Sequence, residues 1–132
     1  MSAKPKERIK RADKADFALT DEQAAALKPF SEDVSLSKTV GRINDLIDSD
    51  IMKKLSRKAV VEWLLEKGLL HEVIINGRTH HDPTAEGELL GIKLTDYRTF
   101  EGNMVKLCVY SPEAQQFIFD NIDVIIEFAS QE

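Results

Sequence analysis

Asn76-Gly77 is the dipeptide that most constrains what this chain can fold into. A two-residue type I′ turn needs positive φ at both central positions, and Asn-Gly supplies it at little steric cost. The flanking residues therefore pair as a hairpin, Leu70 to Ile75 against Arg78 to Asp82. That register sets Ile75 opposite Arg78, Val73 opposite His80 and Glu72 opposite His81. Pro83 has no N–H to extend the ladder. Just before the hairpin, Ser56 caps an amphipathic helix whose buried side is Ala59, Val60, Trp63 and Leu64. Gly68 supplies its left-handed stop. Just after the hairpin, Thr84 caps a short helix over 85–90 that ends at Gly91. Helix, hairpin, helix over residues 55–92 is the order in which a winged helix-turn-helix exposes one reading helix and one wing.

The flanks supply further elements. Thr20-Asp-Glu-Gln23 has capping-box spacing and opens a short helix through Leu27, with Pro29 beyond it. Ser35 caps a longer helix, in which Leu36, Val40, Ile43 and Ile47 lay one apolar stripe along residues 36–48. Residues 92–102 read as irregular or as a strand with a turn at Glu101-Gly-Asn103, and Met104 to Tyr110 is β-prone. Ser111-Pro112-Glu113 is an N-cap followed by proline at the first helical position, and it opens a final helix over 112–129. The fold predicted is α+β. It is a winged helix-turn-helix with a β-hairpin wing, an extra β segment and a long C-terminal helix. Residues 17–132 form the single domain, and residues 1–16, with six Lys/Arg and no apolar period, form a disordered basic arm.

Composition narrows the function. At 132 residues with 42% apolar and 31% charged side chains, the chain fits one soluble domain. No apolar run approaches the ~20 residues that cross a bilayer, so no membrane partner is expected. One cysteine, Cys108, permits no intrachain disulfide, and the expected location is the cytoplasm. Net charge is −5, unevenly spread: residues 38–78 hold eight basic and six acidic groups, residues 79–132 three basic and ten acidic. The basic excess falls on the helix and hairpin, where DNA contact would need it.

A groove-reading helix needs an exposed, cationic start. Lys53, Lys54, Arg57 and Lys58 cluster there, Arg78 stands at the wing tip, and Lys38 and Arg42 lie on the preceding helix. The bland alternative is a solvated cationic face, which helix-dipole energetics disfavour by roughly 0.3–1 kcal/mol. Trp63 lies on the apolar side of its helix and is expected in the core. His71, His80, His81 and Cys108 lack metal-ligand spacing, since adjacent strand residues point to opposite faces. No metal or other cofactor is expected, and His81 instead faces Glu72 as a cross-strand pair. No phosphate loop, nucleophile elbow or convergent carboxylate pair is present, and Cys108 sits in an alternating strand pattern, so no enzyme is expected. The last helix is apolar around more than one stripe. Phe119, Val124 and Ile126 are therefore assigned to a dimer interface.

Several of these residues follow a familiar order. Trp63-Leu64-Leu65-Glu66-Lys67-Gly68, Asn76-Gly77-Arg78, Pro83-Thr84 with Gly91-Ile92, a second β segment, and Ala114-Gln115-Gln116-Phe117-Ile118 with Asn121 run in sequence. Over roughly residues 36–122 the chain resembles the C-terminal (KilA-C type) domain of phage antirepressors. That resemblance implies a DNA-associated, winged-helix-like module of prophages or mobile elements, often acting on a repressor. Two functions are thus expected. The first is a DNA-binding regulator of transcription, contacting double-stranded DNA through the cations named above. The alternative is an antirepressor-like interaction module that binds a repressor or a sister subunit, supported by the acidic C-terminal third.

Overall fold

In the computed structural model, which describes residues 13–131, side-chain caps set where the helices begin. Thr20 Oγ1 accepts from Gln23 N–H at 3.1 Å while Gln23 Oε1 accepts from Thr20 N–H at 2.9 Å, starting α1, Asp21–Ala26. Ser35 caps α2, Leu36–Asn44, and Ser56 caps α3, Arg57–Glu66. Thr84 caps α4, Ala85–Leu90, and Ser111 caps α5, Pro112–Asp120. Each hydroxyl takes one of the N–H groups that the first turn leaves without a partner.

The strands form two small antiparallel sheets. In the first, β1 (Val34–Ser35), β5 (Met104–Tyr110) and β4 (Ile92–Arg98) lie in the order β1-β5-β4. The second is the hairpin of β2 (Leu70–Ile75) and β3 (Arg78–Pro83). Its register is the predicted one, Ile75↔Arg78, Val73↔His80 and Glu72↔His81, with Asn76 at φ 52° and Gly77 at φ 77°. The architecture is α+β.

The core lies between the helices and the base of the first sheet. Val40 and Ile43 of α2, Val60, Trp63 and Leu64 of α3, Ile92 of β4, Tyr110 of β5 and Ile118 of α5 are buried together. Trp63 takes the expected core position, its ring 5.8 Å from that of Phe117 at a 34° tilt. Polar side chains lock this core where backbone would otherwise go unpaired. Gln115 is wholly buried: its Oε1 accepts from Phe30 N–H at 2.6 Å, and its Nε2 donates to Glu32 O and Tyr110 O, both at 2.9 Å. Asn44 holds the approach to α3, donating to Leu55 O at 2.9 Å and accepting from Leu55 N–H at 2.8 Å. Gly87 is required by proximity, because a Cβ there would collide with the Leu69 carbonyl oxygen.

Four expectations change. The helix predicted over 36–48 stops at Asn44, whose side chain is engaged with Leu55 rather than facing solvent. The helix predicted over 112–129 is two, α5 and α6 (Ile122–Ser130), broken at Asn121. There the Asn121 side chain donates to Phe117 O at 2.8 Å, a local bond that competes with helix continuation. Of the two alternatives for residues 92–102 the strand is the one that forms, over Ile92–Arg98, and Ser35 unexpectedly serves as both cap and sheet residue. The arm expected to be disordered over 1–16 lies outside the described residues up to position 12. Its last part is docked: Ala15 bridges Met52, and Lys14 Nζ donates to Ser49 O at 2.7 Å.

Candidate interaction surface

The cations singled out at the start of α3 do not form one exposed ridge. Lys53 Nζ lies 3.4 Å from Asp16 Oδ1, and Lys58 Nζ lies 3.7 Å from Glu62 Oε1 one turn along the helix. Lys54 and Arg57 are exposed. Lys53 and Lys54 instead come together with Phe17, Ser56 and Ile126 around a cleft of about 300 Å³ between the start of α3 and α6. The body of α3 is enclosed: Ala59, Val60, Val61, Trp63 and Leu64 are all buried. Its outward line holds Arg57 and Lys58 at the start, the half-buried Glu62, and Glu66 at the end, so two positive charges balance two negative ones. A helix inserted in a major groove would turn that line toward phosphates.

The cations of α2 are engaged locally. The Arg42 guanidinium lies 3.4 Å from the centre of the Phe30 ring and donates to Lys28 O at 2.8 Å. Lys38 sits over the same ring at 5.0 Å and 4.0 Å from Glu32. Arg78 is exposed beside the hairpin turn, as predicted. Of the three residues assigned to a dimer interface, Phe119 is only 4% exposed and packs inside its own chain. Ile126 is half-buried along the cleft, and Val124 alone stands on the surface. The expected cross-strand pair forms, with His81 Nε2 3.9 Å from Glu72 Oε1.

Sequence reasoning missed an exposed apolar surface on β4 and β5. In the ladder Tyr97 faces Val105, Thr95 faces Leu107 and Lys93 faces Val109, so these six share one side. Tyr97 is 51% exposed, Leu107 42% and Val105 39%. Leu94 and Met104 are exposed on the other side, and Phe100 is fully exposed at the tip. Every residue of β4 after Ile92, and β5 from Met104 to Leu107, is exposed, while at the base Lys93 lies 3.5 Å from Asp33 and β3 packs near the ribbon. A two-stranded ribbon without support is marginal in water. An arm built this way, with aromatic and aliphatic groups on its surface, has the physical character of a docking element. The signal in the sequence was the alternation of Val105, Leu107 and Val109, which reads equally well as a strand facing the core.

At the base of the arm, Cys108 and Tyr110 are partly enclosed. Burial pushes the Cys108 thiol from 9.0 up to about 11, against a hydrogen bond with Tyr110 that lowers it, with the Asp82 charge adding to the rise. Burial raises Tyr110 well above the ordinary phenol range, with Cys108 adding to the shift. Both groups are neutral at physiological pH, and a protonated thiol is a poor nucleophile.

No family model matches this chain, and no curated protein or solved structure matches it either.

Proposed function

We propose that this chain is a protein-interaction module, antirepressor-like in action, that docks a partner protein through the β4–β5 arm. The observation that carries this reading is the contiguous exposed face of Tyr97, Val105 and Leu107 on a ribbon that its own domain leaves uncovered. The outward side of α3 agrees with it, because Glu62 and Glu66 offset Arg57 and Lys58 and leave the helix no positive excess for a phosphate backbone. Within this reading the order α2, α3 and hairpin is a winged helix-turn-helix whose second helix serves as a scaffold.

A second reading, a DNA-binding regulator, draws on Lys54, Arg57 and Arg78. These three are exposed and lack an ion-pair partner among the described residues. A gel shift on random duplex DNA at low salt separates the two. The interaction-module reading expects no retarded complex. A complex whose affinity falls steeply with salt, and whose salt slope flattens in an Arg57→Ala, Lys58→Ala double variant, would establish the DNA reading instead.

A further inference from the structure

The free edge of β4 has a property that its exposed face does not explain. β4 lies at one end of the order β1-β5-β4, so one side of its backbone has no strand partner among the described residues. Thr99 N–H donates to Asn103 O at 2.7 Å, and Gly91 O accepts from Ser111 N–H at 3.0 Å. In an antiparallel ladder these bonds alternate, so odd-numbered residues of β4 direct their backbone groups toward β5. Leu94, Asp96 and Arg98 therefore direct N–H and C=O outward along the free edge.

The sequence along that edge, Lys93-Leu-Thr-Asp-Tyr-Arg-Thr-Phe-Glu101, matches itself when reversed. Placed antiparallel to a second copy with the two-fold axis at Tyr97, Asp96 falls opposite Arg98 of the second copy, and Arg98 opposite its Asp96. Thr95 falls opposite Thr99. Leu94 then approaches Phe100, and Lys93, which also lies 3.5 Å from Asp33 of its own chain, approaches Glu101, where the strand gives way to its turn. Every charge meets its opposite, and every apolar side chain meets an apolar one. Outward-directed residues pair with outward-directed residues, as a hydrogen-bonded ladder requires.

Neighbouring registers lose this match. Moving the axis to Asp96 puts two carboxylates face to face, moving it to Arg98 puts two guanidinium groups together, and centring it on Thr95 leaves Asp96 opposite Leu94. Like charges directly opposite are destabilising, so one register is selected. The outer edge of β5 offers no such match: its only charge is Lys106, a type of residue that blocks edge pairing. Lys106 instead lies 2.9 Å from Asp96 within the chain and holds that carboxylate on the face where the second copy's Arg98 would meet it.

We propose that two copies of this chain associate through their β4 edges, with Tyr97 at the two-fold axis, to make one continuous sheet. The proposal rests on the reading of the β4–β5 arm as an interaction surface, but it uses the edge of β4 rather than the face carrying Val105 and Leu107. Loss of self-association would therefore leave the docking of another protein on that face standing.

Sedimentation velocity over a concentration series tests the pairing. The full chain is expected to form a dimer. Asp96→Arg sets two arginines opposite each other at both symmetric positions, and Arg98→Asp does the same with two carboxylates. Each variant alone is expected to weaken the dimer roughly tenfold or more. Mixing the two variants restores opposite charges at both positions, so the mixture is expected to dimerise more tightly than either component alone. That rescue requires both variants to be folded. A monomeric wild-type chain, a dimer indifferent to both substitutions, or a mixture that stays monomeric would each overturn the proposal.

Discussion

The helix α3 and the strand β4 are covered by the fold to opposite degrees from those their sequences suggest. α3 opens with Arg57-Lys58 after Lys53-Lys54 and looks like a helix presented to a polyanion, yet five of its ten residues are buried and Glu62 and Glu66 offset its two cations. β4 reads Ile-Lys-Leu-Thr-Asp-Tyr-Arg, with no clean alternation, yet it forms a regular strand exposed from Lys93 onward. The difference teaches that a charge cluster at a helix start does not by itself mark a working surface, because the body of the helix can be core. Asp16 reaches Lys53 from the N-terminal segment, and Glu62 reaches Lys58 from the next turn, so half of the cluster is engaged.

If α3 is the internal scaffold and β4 the working element, substitutions on the two should diverge. The largest effect is expected in the scaffold. Trp63→Ala removes the aromatic packed against Phe117 and should cost about 3–5 kcal/mol in denaturant unfolding. A loss below about 1 kcal/mol would mean that α3 is more loosely held than its burial implies. Gln115→Ala follows. It strips partners from Phe30 N–H and from the carbonyls of Glu32 and Tyr110, and should cost roughly 2–4 kcal/mol.

A smaller effect is expected at the base of the arm, read as stability against pH. The Cys108 thiol titrates higher in the folded chain than its ordinary value of 9.0. A raised acid favours the fold while it is neutral in both states, so that contribution is complete below pH 9 and is lost as pH rises toward about 11. Tyr110, shifted in the same direction, adds to the alkaline loss. Unfolding midpoints should fall across this window, and Cys108→Ala should make the fall shallower. An unchanged slope in that variant would show that the thiol is solvated.

The smallest effect is expected at the tip. Phe100→Ala should leave stability within about 0.5 kcal/mol, because its ring touches solvent throughout. A large loss there would mean that the arm folds back on the domain, which would erase the contrast with α3.

Much of the frame was legible because local chemistry dictated it. Asn76-Gly77 determined a turn type, and the turn determined the register of the five pairs from Ile75↔Arg78 to His71↔Asp82; the strand then runs one pair further than expected, to Leu70↔Pro83. The hydroxyl caps at positions 20, 35, 56, 84 and 111 placed five helix starts. What remained hidden depends on contacts distant in sequence. Gln115 looked like one polar residue in a helix, and only its bonds to residues 30 and 32 reveal it as a clamp. Phe119 looked available for a partner until α5 and α6 divided at Asn121 and turned it inward. The exposed arm was invisible for the same reason. Alternating apolar residues show that a strand has an apolar face, but not whether the rest of the chain will cover it.

Site-specific photocrosslinking in the cell that makes this protein tests the central claim most directly. A photoreactive benzoylphenylalanine replaces Leu107 on the arm in one version and Lys58 on α3 in the other. Position 107 is expected to give a discrete protein adduct and position 58 none. Nucleic-acid adducts from position 58, with position 107 silent, would contradict that claim.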